Sequence, residues 1–286
     1  MADWTNATTG QRATSGVVLD PAAFARHATL QRAAPPAELA PLVDYYWSVV
    51  FDLPPGTSYV STLVPSVSTH LSVEWGGITR EQVAGEGCFL TGAVTRQRFD
   101  VRLTGRGGVA GVALRAGVLF ASTGRPAVEV TDRVCRADRS LTLAPEVAGL
   151  RAGLPDAART FDAHLAAILR PPTHEGETVA TVLDKIDADR TLTTVAAVAA
   201  LMGTTVRSTQ RAFRRQLGVG PKWVLLRARV HDAVVALHAG GEESLASLAA
   251  GLGWADQAHF IRDFTLLVGE PPGSYRRRVG APSGSH

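Results

Sequence analysis

Between residues 203 and 231 the chain carries seven basic residues and no Asp or Glu: Arg207, Arg211, Arg214, Arg215, Lys222, Arg227 and Arg229. One-signed charge of this density suits a polyanion, whereas a solvated helix face normally mixes signs. Lys185 and Lys222 are the two lysines of the chain, so nearly all its positive charge is guanidinium. A guanidinium presents a planar fork that can grip a phosphate, or the two acceptors of guanine, with paired hydrogen bonds. Other constellations are thinner. Cys88 and Cys135 are too few and too isolated for a disulfide framework or a zinc site. His70 has Glu74 four residues on in a strand-patterned region, which places both on one face about two pleats apart. A metal site of that kind needs two or three His plus a carboxylate. No Gly-rich phosphate loop and no Ser/His/Asp order appears. The expectation is a binding protein with no catalytic residue, metal or cofactor.

The basic patch lies in a stretch of helical pattern, and that stretch is built twice. Val198-Ala199-Ala200-Leu201-Met202-Gly203 returns 50 positions later as Leu248-Ala249-Ala250-Gly251-Leu252-Gly253. Each block leads into a further helical segment around an aromatic, 205–216 around Phe213 and 256–267 around Phe264. A small residue inside a helix, Gly at its end and a new helix beyond let two helices pack closely at a steep angle. Two such blocks predict a pair of helix-turn-helix units. Thr193 or Thr194, Thr205, Ser244 and Asp256 are the expected caps. Pro221 opens a longer helix over 221–237, in the first turn where its missing donor is harmless, and Gly240-Gly241 breaks it. Phe213, Trp254, Phe260 and Phe264 are expected in the core.

Upstream, from Leu39 to about Leu141, the pattern is mostly period two. Leu71, Val73 and Trp75 alternate with Ser72 and Glu74; Phe99, Val101 and Leu103 alternate with Arg98, Asp100 and Arg102. Further strands are predicted over 45–51, 58–63, 88–92 and 109–114, with turns at Gly76-Gly77 and at 105–108. Short helices are predicted over 116–122 and 127–132. Many short strands with Gly-rich turns indicate an antiparallel barrel or sandwich. Residues 1–36 read as a tail with one short helix near 22–30. A helix over 156–169 carries the stripe Phe161, Leu165, Ile168 and Leu169, to dock on its own barrel or on a second copy. Arg170-Pro171-Pro172 ends it, and 174–177 reads as a linker. The fold class predicted is α+β: a tail 1–36, a β-rich domain 37–172 and an all-α domain 173–286.

Over roughly residues 178–278 the chain resembles the AraC/XylS family of bacterial transcription regulators. The second unit carries the resemblance most specifically: Ala249, Gly253, Trp254, Asp256, Gln257, His259-Phe260, Arg262, Phe264, Gly269, Pro272 and Tyr275-Arg276. The first unit matches at Ala199, Gly203, Gln210-Arg211, Phe213-Arg214-Arg215, Gly218 and Pro221. The resemblance implies seven helices, with the long one holding the two units apart so that their recognition helices enter neighbouring major grooves ~34 Å apart. It implies that Arg207, Gln210 and Arg211 face bases from the first unit, with Ser208 also among its DNA-binding residues, and Gln257, Ala258, His259 and Arg262 from the second. Arg214, Arg215 and Lys222 would hold phosphates. Promoter DNA and RNA polymerase are the implied partners. The family usually has basic residues just after the second unit's Phe; this chain has Thr265 and Leu266 there, with Asp263 and Glu270 close by. The first unit is therefore expected to dominate affinity.

The β-rich half resembles the cupin-like domain that precedes this module in many actinobacterial regulators. Tyr46-Trp47, residues 65–74, Leu90-Thr91-Gly92, Gly111-Val112 and Arg115-Ala116-Gly117 carry that likeness. It implies a sensor in which a small-molecule effector, or homodimerisation, shifts how the helical half meets DNA. The alternative is a cupin-like small-molecule-binding protein or enzyme whose helical half is an interaction module. A repair methyltransferase fused to the same module would need a reactive cysteine motif, which neither cysteine provides. With 286 residues, 45% hydrophobic, there is material for two domains. No apolar run reaches the length of a membrane span and residues 1–11 lack the order of a signal peptide, so a cytoplasmic location is expected.

Overall fold

The structure, a computed structural model, describes residues 5–6, 17–64, 66–80, 83, 85–95, 99–137, 154–240 and 243–280. Arg98, Leu141 and Gly241 of the sequence reading lie outside these. The described part of the first half is one antiparallel sheet: β1 (Thr5–Asn6), β2 (Val17–Val18), β3 (Ala28–Ala33), β4 (Val43–Asp52), β5 (Ser58–Val64), β6 (His70–Thr79), β7 (Gly87–Thr91), β8 (Phe99–Leu114) and β9 (Val134–Arg136). The second half is helical throughout, so the class is α+β as expected.

The spine of the sheet is β8, which pairs with β4, β5 and β6. Its 16 residues were expected as two strands around a Gly turn. They form one strand because Gly105, at φ 54°, supplies a bend rather than a reversal. The same correction applies to Gly76-Gly77, which lies inside β6 at a register shift. A Cβ on Gly76 would stand 2.1 Å from the Arg106 carbonyl oxygen, so only glycine lets the two bent strands cross there. These long strands line a partly open cavity of about 150 Å³. Three rows of the sheet face it: Tyr45–Ala113–His70, Trp47–Gly111–Ser72 and Val49–Val109–Glu74.

Within the stretch read as a tail, the described residues join the sheet half. Residues 17–18 pair with β5, α1 (Pro21–Ala25) is capped by Asp20, and 28–33 pair with β4 along six positions. The helix expected to run on to residue 30 stops at Ala25 because 28–33 pair with β4 and bury Ala28, Leu30 and Ala33. The short helices are as expected: α2 (Val118–Thr123) and a 3-10 turn Ala127–Val130. In α3 (Leu154–Ile168), Phe161 and Leu165 join the sheet's own core together with Leu169 just beyond. Tyr46 donates to Asp162 at the same place. Of the two surfaces open to this stripe, the chain uses its own barrel.

Among the described residues seven helices follow: α4 (His174–Ala188), α5 (Val195–Leu201), α6 (Val206–Leu217), α7 (Pro221–His238), α8 (Leu245–Gly251), α9 (Gln257–Val268) and α10 (Pro272–Gly280). The linker read over 174–177 is the first turn of α4. Thr173 caps it, and Glu175 and Glu177 sit where the helix dipole favours acids. Two cores organise the helices. One joins α4 to α7 with Val67, Ala93 and Ala116 of the sheet half; the other joins α7 to α10 with Leu19 and Val64.

The halves are therefore docked along a continuous seam. Thr131 Oγ1 donates to the Gly218 carbonyl at 2.9 Å, and Gly117 N to the Gln216 carbonyl at 3.3 Å. Gly218 ends α6 at φ 85°, and a Cβ there would stand 2.2 Å from Thr131 Oγ1 and 2.8 Å from the Ala127 oxygen. Gly218→Ala is expected to destabilise the chain by about 1–3 kcal/mol, read as a lower denaturant midpoint at unchanged slope.

Three histidines are held neutral by burial. His70 is pushed down to about 3, and His231 and His238 are also lowered. Histidines of the denatured chain take up protons near ~6.5, so the stability these groups contribute is intact above that pH and lost as pH falls below it. Burial raises Glu74, which acts in the opposite sense, but it is one group against three. The melting temperature is expected to be at least ~4 °C lower at pH 5 than at pH 7; a level profile contradicts this.

Candidate nucleic-acid interface

The sequence repeat is a repeat of hydrogen bonds. After α5, Gly203 N donates to Ala200 O and Thr204 N to Ala199 O, each at 3.0 Å. After α8, Gly253 N donates to Ala250 O at 3.0 Å and Trp254 N to Ala249 O at 2.9 Å. Gly203 and Gly253 take φ 62° and 81°, where an L side chain is strained. Each following helix is capped: Thr205 accepts from Ser208 N at 3.2 Å, and Asp256 from His259 N at 2.7 Å. The chain thus builds two helix-turn-helix units, α5–α6 and α8–α9, on either end of α7. Phe213, Trp254, Phe260 and Phe264 are buried, as expected.

The sequence-predicted contact residues divide into three groups. Arg207, Gln210, Arg211 and Arg214 are exposed at i, i+3, i+4 and i+7 along α6, and Lys222 is exposed at the start of α7. Opposite them Thr209, Ala212, Phe213, Gln216 and Leu217 are buried, so α6 presents one basic stripe. The side chains of Arg207, Arg214 and Lys222 make no hydrogen bond or ion pair with a described residue. On α9, Gln257, Ala258 and Arg262 are exposed. Ser208 is half-buried beside its cap, its hydroxyl accepting from Thr205 Oγ1 at 3.1 Å. His259 is half-exposed, with Nε2 3.2 Å from Asp263 Oδ2, the oxygen that also accepts from Trp254 Nε1 at 2.8 Å.

Arg215, Arg227 and Arg229 do not belong to the stripe. Arg215 was expected on phosphate, but Glu175 holds it in a two-bond pair: Nε donates to Oε1 at 2.8 Å, and Nη2 donates to Oε2. Gln216 adds a donor to the same carboxylate at 2.7 Å. Burial pushes the Glu175 carboxyl up, but the Arg215 and Gln216 hydrogen bonds outweigh it and leave it below the usual range. Arg227 is fully buried, donating to the Val64 carbonyl at 3.4 Å. Arg229 stacks 4.9 Å over Trp254 and donates to Gly253 O at 3.2 Å, which ties α7 to the turn of the second unit. Sequence reasoning missed Glu175 because it lies in the stretch read as a linker. For Arg227 only long-range packing decides, and no local pattern reports it.

Arg215→Ala is expected to weaken DNA binding less than threefold and to destabilise the fold by about 0.5–1 kcal/mol, the pair being partly exposed. A binding titration and a denaturation curve on one preparation check both.

The helix-turn-helix domain family matches residues 198–278, from within α5 into α10. The helical half is an AraC-type helix-turn-helix domain. The match takes in both helix-turn-helix units and the long helix between them. A second family, described as a domain of unknown function (DUF6597), matches residues 31–136, from β3 to the end of β9. No curated protein matches the chain. Among solved structures it is similar to a probable AraC family transcriptional regulator from Rhodopseudomonas palustris CGA009: 28% identity, TM-score 0.34, covering 36% of this chain and 97% of that one. ToxT from Vibrio cholerae O395 is similar over 83% of this chain and 99% of its own, at 12% identity and TM-score 0.43. The DNA-binding domain of AdpA, a global transcriptional factor solved with a target DNA, is similar over 38% of this chain and 97% of its own, at 25% identity and TM-score 0.33. The AraC-type assignment rests on the family match and on the residues above. Among the described residues no helix is long and apolar enough to cross a membrane.

Proposed function

We propose that this chain is a sequence-specific, cytoplasmic regulator of transcription that grips duplex DNA through α6 and α9 and is modulated through its sheet half. The observation that carries the first part is the acid-free stripe Arg207, Gln210, Arg211 and Arg214, exposed on a helix whose other face is core. Arg207, Gln210 and Arg211 have the donors to read base edges, with Ser208 beside them; Arg214 and Lys222 suit phosphate. Gln257, Ala258, His259 and Arg262 form the second contact, weaker because Asp263 and Glu270 lie near it. RNA polymerase is the partner such a regulator acts upon.

Modulation is supported by how neighbouring residues divide between cavity and helices. Val18 and Phe24 line the cavity, while between them Leu19 packs on the second unit and its carbonyl accepts from Tyr275 at 2.8 Å. Leu63 lines the cavity, and the next residue, Val64, accepts from Arg227 on α7. A ligand that moves these wall segments has differential contact with the arrangement of both units. Anisotropy titrations on selected duplexes over a range of salt test the DNA reading: log affinity is expected to fall steeply with log salt, and a slope near zero contradicts it.

A further inference from the structure

The wall surface of the sheet cavity is largely apolar, with Leu63, Ile78, Val101 and Val109 beside the rings of Phe24 and Phe99. Its polar groups gather along one side. His70, Ser72 and Glu74 alternate along β6, and Trp47 lies in the Ser72 row with Gly111 between them. A Cβ on Gly111 would stand 2.8 Å from Trp47 Nε1 and Cε2, so the indole lies over the glycine and its N–H is held in the middle of that row. Some of these groups satisfy one another: Ser72 Oγ donates to Glu74 at 3.0 Å, and Glu74 pairs with Arg80 at 2.6 Å. Trp47 Nε1, His70 Nδ1 and Ser61 Oγ are buried without a hydrogen-bond partner among the described residues. Buried polar atoms left this way are uncommon and point to a missing partner.

The character of that partner follows from charge. Trp47 offers a donor only. Burial keeps His70 unprotonated, and the positive charge of Arg32, felt at the imidazole, acts in the same sense. Arg32 itself lies 4.6 Å over the Tyr45 ring in the adjoining row. The Arg32 charge disfavours a cationic ligand there, and a polyol would leave the largely apolar wall surface unmatched. The volume accommodates roughly one ring or its aliphatic equivalent, since a dry cavity of ~150 Å³ takes benzene.

We infer that the cavity binds a compact monocarboxylic acid, its carboxylate accepting from Trp47 Nε1–H and a His70 ring N–H, its apolar body filling the space beside Leu63, Ile78 and Val101. This inference rests on the reading of the sheet half as the sensing half of a regulator. The test uses the full chain without DNA and a panel of straight-chain and aromatic monocarboxylic acids of four to twelve carbons, each with its amide, by thermal shift and calorimetry. At least one acid is expected to raise the melting temperature at about millimolar concentration and to bind at least ~tenfold more tightly than its amide. Trp47→Phe, which removes the N–H and keeps a ring, is expected to weaken that acid at least ~fivefold, and His70→Leu to do the same. No shift from any acid, an amide bound as tightly as its acid, or unchanged affinity in both variants overturns the inference. The bound acid is then added to the protein on DNA. Unchanged DNA affinity there contradicts the sensing role and leaves the acid site standing.

Discussion

Arg211→Ala is expected to weaken binding to a specific duplex by about 1–3 kcal/mol, or roughly 5- to 150-fold, and to relax the base preference at one position. Arg211 is exposed in the middle of the α6 stripe, four residues from Arg207 and three from Arg214. It makes no hydrogen bond or ion pair with a described residue; its charge is felt only in helping to hold the Glu175 carboxyl down. Its guanidinium is thus available for two acceptors at once. Arg262→Ala is expected to cost less. Arg262 is also exposed, but it shares its helix with Asp263, and Glu270 lies just past the helix end, paired with Arg278 at 2.7 Å. Anisotropy titrations of both variants at one salt concentration check the ranking. A larger loss for Arg262→Ala means that the second unit, not the first, dominates.

Arg227→Ala is expected to lower stability by about 2–4 kcal/mol, a loss in the range of large-to-small changes at fully buried sites. The side chain is completely enclosed between α7 and the end of β5, where both helical cores meet the sheet half. Burial pushes its guanidinium down to about 10, with Asp187 the leading opposing influence, so it remains charged at neutral pH. Arg227→Met, which keeps most of the stem volume, is expected to recover more than half of the loss. Neither variant is expected to change the salt dependence of DNA binding, because this arginine faces no solvent. Urea denaturation and a salt titration separate the two effects. A change in salt slope means that Arg227 does touch phosphate.

Helix identities, caps and turns of the helical half were legible because each is specified locally. Thr194, Thr205, Ser244 and Asp256 cap as their residue types suggest, and Gly203, Gly218, Gly253 and Gly269 adopt the positive φ their positions require. The basic stripe on α6 was legible for the same reason, since i, i+3, i+4 and i+7 share a face. What failed depended on contacts distant in sequence. Gly76 and Gly105 look like turn residues, yet each is a bend because the partner strand passes too close for a Cβ or continues beyond it. Residues 17–33 look like a tail, yet they complete the sheet and hold the second unit through Leu19. Arg215 and Arg227 look like the other arginines of the patch. Only the acid on α4 and the wall of β5 remove them from it.

Footprinting of the full chain on a duplex selected from random sequence tests the central claim most directly. Two recognition helices fixed at either end of α7 are predicted to protect two major-groove segments centred ~10 bp apart on one face of the duplex. Protection of one segment alone, or of two segments on opposite faces, contradicts the account.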